Sequence, residues 1–294
     1  MRKLITLTLL MAVLSLYLLP QADAQVLWRG AKTMKKGSFI AMARWYYMDF
    51  TKVYDTTNEE WKDNDNDHLK WGFETMIGYA PMDRWEIMMH IPFRLHSFTT
   101  STLDESSSGI GDIFFKTRVA VLPWSKKKHG LTFVGSVRLG TGEYDNPYSF
   151  CNCGDGSTDF GVAGIFSSKW MNKFRGHLKL NYWVNGEGKA VNDVTYNVGN
   201  EMKFIGKLDY NFHKKFMGFA TYIYYNQAEK EDSQGNAIQN SDKTRHSFAL
   251  GGIWKPKKGI FVRPKIVLPI GAENGKNYSF KPVLDFWYVF ALGS

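Results

Sequence analysis

The sequence predicts an all-β protein, a closed antiparallel transmembrane β-barrel of about 12 strands with short periplasmic turns and long extracellular loops. Three observations predict it. The chain begins with an export signal, its hydrophobic residues alternate with period two through long segments, and its connections alternate between short and long.

The N-terminus has the order of a secretory signal peptide. Arg2 and Lys3 precede an apolar run from Leu4 to Leu19, which is followed by the small-residue stretch Ala22-Asp23-Ala24. A basic start, an apolar run and a small-x-small site predict cleavage after the last of these residues. We therefore expect a signal peptide at residues 1–24 and a single barrel domain at residues 25–294.

The composition suits a sheet-rich protein, with 16% aromatic residues, 27 glycines and 2 cysteines among 294 residues. After Gln25 no apolar run approaches the roughly 18 residues that a membrane-spanning helix needs. Only helices and closed barrels satisfy all backbone polar groups in lipid. A membrane form of the mature chain is therefore expected to be a barrel in the outer membrane of a Gram-negative bacterium.

The strand pattern is clearest in two consecutive segments, 68–80 and 85–96, joined by the turn Pro81-Met82-Asp83-Arg84. In the first, apolar residues from Leu69 to Tyr79 alternate with Lys70, Gly72, Glu74, Met76 and Gly78. Similar alternation recurs at 112–121, 174–185, 201–212 and 278–290. Each segment is close to the ~9 to 11 residues of a tilted transmembrane strand.

The connections predict the orientation of the barrel. Short ones lie near residues 81–84, 123–129, 170–173, 213–215 and 255–259. Long ones lie near 51–67, 98–108, 143–157, 186–195, 229–243 and 271–277. Outer-membrane barrels have short periplasmic turns and longer extracellular loops, whereas a soluble β-sandwich, the main alternative, has no reason for this asymmetry.

Aromatic residues at strand ends fit the girdles that mark the two membrane surfaces. The expected girdle positions are Trp45, Tyr47, Tyr79, Trp85, Trp254 and Tyr288.

If the apolar faces contact lipid, their partners face a basic lumen. The candidate solute path is lined by Arg44, Arg94, Lys116, Arg118, Arg138, Arg175, Lys179, Arg263 and Lys265. A basic passage would favour small anionic or polar-headed solutes. The alternative is that these charges form buried ion-pair ladders that fill the lumen. Nucleic acid is not expected as a partner, because the basic residues do not cluster in one patch.

Other site candidates are weak, and we expect no catalytic residues, metal or cofactor. Asp63-Asn64-Asp65-Asn66-Asp67 has calcium-loop spacing, but His68 stands where the loop needs glycine. Cys151 and Cys153 are too close for an unstrained disulfide and have no second pair to complete a zinc site. In a barrel hydrolase similar to outer-membrane phospholipase A, serine follows two residues after histidine. Here the nearest pairs, His96-Ser97 and His246-Ser247, send the two side chains to opposite faces.

One glycine-rich region, from Ser108 to Phe166, resembles a known family. The residues are Ser108-Gly109-Ile110-Gly111-Asp112-Ile113, then Gly140-Thr141-Gly142, then Gly154, Gly156, Ser157 and Asp159. They resemble the MetA-pathway of phenol degradation family of outer-membrane transporters. The resemblance implies passive uptake or export of small molecules, aromatic ones among them. The first hypothesis is thus a passive channel, the second a non-transporting structural or adhesive barrel, and the third a barrel hydrolase.

Overall fold

The computed structural model describes residues 30–55, 60–64, 66–124, 128–142, 153–154, 156–171, 173–189, 195–238, 241–273, 276–277 and 280–291. Residues 1–24 lie outside these ranges, so the division into a signal peptide and a barrel stays a prediction. No helix in the described ranges is long and apolar enough to cross a membrane.

The described residues form twenty strands. In chain order they are β1 (Ser38–Asp49), β2 (Lys52–Asp55), β3 (Glu60–Asp63), β4 (Asp67–Met82), β5 (Trp85–Thr99), β6 (Asp104–Ile110), β7 (Ile113–Leu122), β8 (His129–Leu139), β9 (Asp159–Lys169), β10 (Phe174–Val184), β11 (Glu187–Lys189), β12 (Thr195–Asn197), β13 (Glu201–His213), β14 (Phe216–Gln227), β15 (Lys230–Glu231), β16 (Ala237–Ile238), β17 (Lys243–Trp254), β18 (Ile260–Glu273), β19 (Lys276–Asn277) and β20 (Lys281–Ala291).

The long strands form one antiparallel sheet that closes on itself. Its order is β1-β4-β5-β7-β8-β9-β10-β13-β14-β17-β18-β20, and β20 pairs with β1. β6 and β7 both pair with β5 and share one position, so the ring has twelve positions. The predicted fold class is therefore confirmed: the protein is an all-β, closed, up-and-down barrel.

The two ends of the barrel differ as predicted. At one end the connections are short, for example Asp83-Arg84 between β4 and β5, and Lys214-Lys215 between β13 and β14. At the other end the connections carry small sheets of their own, β19-β2-β3 and β11-β12-β15-β16.

The prediction of a long loop at residues 98–108 is wrong. β5 continues to Thr99 and pairs with β6, which begins at Asp104. The turn between them is tight, because the Leu103 amide donates to Thr100 Oγ1 at 2.9 Å and the Thr100 amide donates to the Leu103 carbonyl at 2.7 Å. The segment is rich in serine and threonine, so it carries no hydrophobic alternation from which a hairpin could be predicted.

The two faces of the barrel wall have opposite chemistry. Outward side chains are large, apolar and exposed, as in Phe133 (53%), Val162 (65%) and Leu180 (55%). Aromatic contacts mark both ends of β1: Phe39 lies 4.6 Å from Tyr79, and Tyr47 lies 5.0 Å from Trp71, between ring centroids. This is the placement expected of two membrane-surface girdles.

The segment before β1 enters the barrel, which the sequence did not predict. We call Gly30–Lys36 the strap. Its Ala31 and Met34 side chains are buried (0% and 5% exposed). The chain leaves the interior at Gly37, whose amide donates to the Ala80 carbonyl at 2.8 Å.

Candidate functional site

All nine residues predicted to line the lumen belong to barrel strands. Arg44, Lys116, Arg118, Lys179, Arg263 and Lys265 are buried, while Arg94, Arg138 and Arg175 are partly buried. In β7, for instance, Lys116 and Arg118 are buried while Phe115 and Val119, on the other face, are exposed. Period-two geometry thus separates these cations from the exposed apolar side chains of the same strands. That they line a solute path stays a prediction.

A row of four charges crosses the middle of the inner wall. Register places Glu74, Arg44, Asp285 and Arg263 directly opposite one another on β4, β1, β20 and β18. Arg44 bonds Glu74 at 3.2 Å and also pairs with Asp285, which in turn pairs with Arg263. The first three side chains are fully buried. The row therefore ties four adjacent strands together across the inner wall.

A second ion pair holds the strap. Arg118 Nη1 lies 3.2 Å from Glu86, and Arg118 Nη2 donates to the Gly30 carbonyl at 2.6 Å. The Glu86 carboxylate also accepts the Met34 amide. Two buried charges thus satisfy backbone groups of the strap as well as each other.

A third group lies toward the loop-bearing end. Arg138 Nε pairs with Asp159, and Arg138 Nη2 lies 3.7 Å from Glu201 Oε1. Its guanidinium also lies 5.9 Å from the Phe114 ring and 5.8 Å from the Trp183 ring, measured to the ring centroids.

Cations lie beside aromatic rings at several levels of the inner wall. The pairs are Lys281 with Tyr46 (4.3 Å), Lys203 with Tyr225 (4.7 Å), Lys207 with Phe219 (4.9 Å), Lys116 with Phe114 (5.1 Å) and Arg263 with Trp287 (5.8 Å). A lumen with this lining offers both a positive charge and an aromatic face to a small molecule. A small cavity lies among such residues: Lys207, Phe219, Thr221, Arg263 and Lys265.

Buried cations outnumber buried carboxylates in the described chain. The cations are Arg44, Lys116, Arg118, Lys179, Lys203, Lys207, Arg263, Lys265 and Lys281. The carboxylates are Glu74, Glu86, Asp112, Asp159, Asp209 and Asp285. The interior therefore carries a positive excess even after its ion pairs are counted.

Ser167, His177 and Asp209 form a hydrogen-bonded chain across three adjacent strands. Ser167 Oγ lies 2.8 Å from His177 Nδ1, and His177 Nε2 lies 3.0 Å from Asp209 Oδ2. Sequence reasoning searched only for histidine and serine close along the chain and missed this group. The signal that could have found it is the assignment of β9, β10 and β13 as neighbouring strands.

The hydrogen-bonded Ser167, His177 and Asp209 resemble a catalytic triad, but their geometry supports a structural role. The Ala31 amide donates to Ser167 Oγ at 2.7 Å. The hydroxyl therefore faces an N–H group in the peptide plane, whereas nucleophilic attack needs a carbonyl carbon approached from above that plane. Gly30 also lies directly against Ser167 and His177, because a Cβ at Gly30 would be only 2.1 Å from His177 Nδ1. The absence of catalytic residues stays a prediction.

The glycines of the family-like motif pack around a buried carboxylate. Asp112 accepts the Gly142 amide at 3.0 Å, and a Cβ on Gly154 would lie 2.5 Å from the Asp112 carboxylate. A Cβ on Gly140 would lie 2.3 Å from the Gly156 carbonyl. Glycine is needed here because backbone lies directly against backbone. The Cys153 carbonyl in the same region accepts a bond from Arg94 at 2.5 Å.

The remaining sequence candidates do not form sites in the described residues. Asp63 pairs with Lys52 at 3.0 Å, and Asp65 lies outside the described ranges. Within those ranges no group of three or more His, Cys, Asp or Glu could hold a metal ion. Cys153 is a buried free thiol, 3.7 Å from Ser107 Oγ, and Cys151 lies outside the described ranges.

The closed ring of long strands, the apolar outer face and the charged interior together define a transmembrane β-barrel of the outer-membrane type. A family model described as MetA-pathway of phenol degradation matches residues 49–276. The chain belongs to this family, which confirms the resemblance drawn from the glycine-rich motif. A search of curated proteins finds no match to this sequence.

Solved structures share the fold. The COG4313 outer membrane channel from Pseudomonas putida F1 has a TM-score of 0.79 at 14% identity, covering 92% of this chain and 100% of that one. The transport unit of the autotransporter AIDA-I from Escherichia coli has a TM-score of 0.52 at 7% identity, covering 93% of each chain. The β domain of the Bordetella autotransporter BrkA has a TM-score of 0.51 at 10% identity, covering 86% and 100%.

Proposed function

We propose that this chain is a passive outer-membrane channel for small solutes, and that it favours small anions, aromatic acids in particular. The observation that carries the proposal is the lining of the lumen, where buried cations lie beside aromatic rings. An aromatic acid can place its carboxylate beside a buried cation and its ring against an aromatic side chain. Membership in a family described by phenol degradation supports aromatic solutes.

We also propose that residues 1–24 are a signal peptide that directs export in a Gram-negative bacterium.

Reversal potentials across planar bilayers test the proposal. Under gradients of potassium acetate, potassium benzoate and benzylammonium chloride, we expect acetate, benzoate and chloride all to be more permeant than K⁺ or benzylammonium. Benzoate should permeate well despite being larger than acetate, because the lumen offers aromatic faces. A preference for cations, or no current above that of protein-free bilayers, would contradict the proposal.

A matched pair of variants locates the source of the selectivity. Lys179→Gln removes a positive charge from the buried inner wall, and Lys257→Gln removes one from the exposed turn between β17 and β18. We expect only the first variant to lower the anion-to-cation permeability ratio. Equal effects of the two variants would place the selectivity outside the lumen.

A non-transporting structural barrel is the second candidate, because Glu74, Arg44, Asp285 and Arg263 are buried inside the barrel and joined in ion pairs. The same bilayer experiment separates the two, since a barrel that never conducts gives no steady current.

A further inference from the structure

The strap joins opposite walls of the barrel. Met34 packs with residues of β1, β4, β5 and β20, among them Ile40 and Trp287. Ala31 packs with residues of β8, β9 and β13, among them Ile165. In the ring order five strands separate β20 from β9 in either direction. Three residue steps span at most roughly 11 Å, so the strap crosses a narrow part of the lumen from wall to wall.

Buried side chains of the wall hold the strap by its backbone. Thr132 Oγ1 donates to the Ala31 carbonyl at 2.7 Å, and the Ala31 amide donates to Ser167. Arg118 and Glu86 bind the Gly30 carbonyl and the Met34 amide. The chain from Ser167 through His177 to Asp209 thus has a partner on the strap. These contacts give the buried polar groups at this end of the lumen partners on the strap.

The strap can withdraw without opening the barrel. None of its residues belongs to a strand, so no barrel strand pairing depends on it. It joins β1 through Gly37, which has a positive φ of 75° and no neighbour that a Cβ would meet. At the other end Gly30 has a positive φ of 57° and lies against His177 and Ser167. Glycine can adopt backbone conformations of both signs of φ, so Gly37 can serve as a joint, while Gly30 makes a close contact that a side chain would prevent.

We infer that the strap is a closing element of the channel: its seated position blocks the lumen at the end with the short turns, and solute passes when it withdraws from β8, β9 and β10. The inference rests on the proposed function, because a strap can close only a barrel that conducts. The contacts with Ser167, Thr132 and Arg118 then set the fraction of time that the channel spends closed.

The test compares the steady-state conductance of four purified, refolded proteins in planar bilayers. The first is the wild type. The second lacks residues 25–34, so that after the proposed signal peptide only Lys35, Lys36 and Gly37 precede β1, too few residues to reach β9. The third is Gly30→Val, whose side chain would clash with His177 and Ser167 without altering the barrel wall. The fourth is Lys35→Val, a control at an exposed position of the strap. Resistance of the unheated proteins to detergent unfolding confirms that each barrel is folded.

We expect the deletion and Gly30→Val to raise conductance by about tenfold or more, which corresponds to moving a largely closed population toward the open one. Lys35→Val should match the wild type. If the wild type conducts and both strap variants conduct equally, the inference is overturned while the channel function stands. If no folded variant conducts, the proposed function fails and the inference fails with it.

Discussion

At the scale of single residues, Asp285 is the shared partner of two arginines. It pairs with Arg44 on β1 and with Arg263 on β18, and all three side chains are buried. A buried charge that loses its partner is strongly destabilising, whereas an exposed pair contributes little. Asp285 therefore stabilises the barrel by neutralising two buried arginine side chains.

We expect Asp285→Asn to lower the free energy of unfolding by roughly 3–5 kcal/mol, because it leaves two buried guanidinium groups with one neutral amide. Urea unfolding in detergent micelles, followed by tryptophan fluorescence, measures the change. The control is Asp63→Asn, since Asp63 and its partner Lys52 are 84% and 52% exposed and should contribute under about 1 kcal/mol. Equal effects of the two substitutions would show that the central row does not stabilise the barrel.

Asp232, in the connection between β15 and β16, gives a prediction about pH. Hydrogen bonds from the Asn236 side chain and amide, and from the Gln234 amide, lower the pKa of its carboxyl. A lowered folded-state pKa means that the carboxylate stabilises the turn above the pKa of the unfolded chain. That stabilisation is lost as the pH falls through the lower, folded-state pKa.

Carbon-13 NMR titration of the Asp232 carboxyl in micelles measures this pKa directly. We expect a value below that of an ordinary aspartate, and Asn236→Ala should raise it by removing the side-chain donor. A titration that Asn236→Ala leaves unchanged would contradict this explanation.

At the scale of one strand, β10 shows how alternation divides the wall. Leu178 and Leu180 are exposed on the outer face, while His177 and Lys179 are buried on the inner face. A substitution therefore has opposite consequences at adjacent positions, because one side chain meets lipid and the next meets the lumen.

We expect Leu180→Arg, near the middle of β10, to destabilise the barrel in lipid by about 2–4 kcal/mol, the cost of a cation near the bilayer midplane. Met171→Arg, at an exposed turn position between β9 and β10, should cost about 0–1 kcal/mol. Unfolding in phospholipid vesicles measures both. If Leu180→Arg is tolerated as well as Met171→Arg, the outer face of β10 does not contact lipid.

At the scale of the whole molecule, the two ends of the barrel differ in loop length, and this asymmetry predicts orientation. The connections that carry small sheets should face the outside of the cell, and the short turns should face the periplasm. The strap, which leaves the barrel beside the turn between β4 and β5, would then close the periplasmic end.

Cysteine labelling of intact cells checks the orientation. In a background with Cys151 and Cys153 replaced by serine, Ser233→Cys lies between β15 and β16, and Lys257→Cys lies in a short turn. A membrane-impermeant maleimide should label Ser233→Cys in intact cells and Lys257→Cys only after the outer membrane is permeabilised. The reverse result would invert the assigned orientation and place the strap at the cell surface.

The sequence predicted the strands well because alternation is a local property. The segment from His68 to Ala80 lies within β4, and the turn expected near Asp83 and Arg84 is present. Alternation failed at residues 98–108, where polar side chains occupy most positions of the hairpin that β5 and β6 form. Alternation also placed the cations and several carboxylates on one strand face, but it could not say which carboxylate each cation pairs with, since the partners lie on other strands.

By itself the sequence determined which side chains share a face, one face apolar and the other rich in cations, and the lack of a membrane-length apolar run then indicated a barrel. This follows because each residue's face depends only on its neighbours along the strand. The tertiary structure alone decided that Glu74, Arg44, Asp285 and Arg263 form one row and that Ser167, His177 and Asp209 meet the strap. Those contacts depend on register and closure, which join residues far apart in the chain and are fixed only when the whole ring forms.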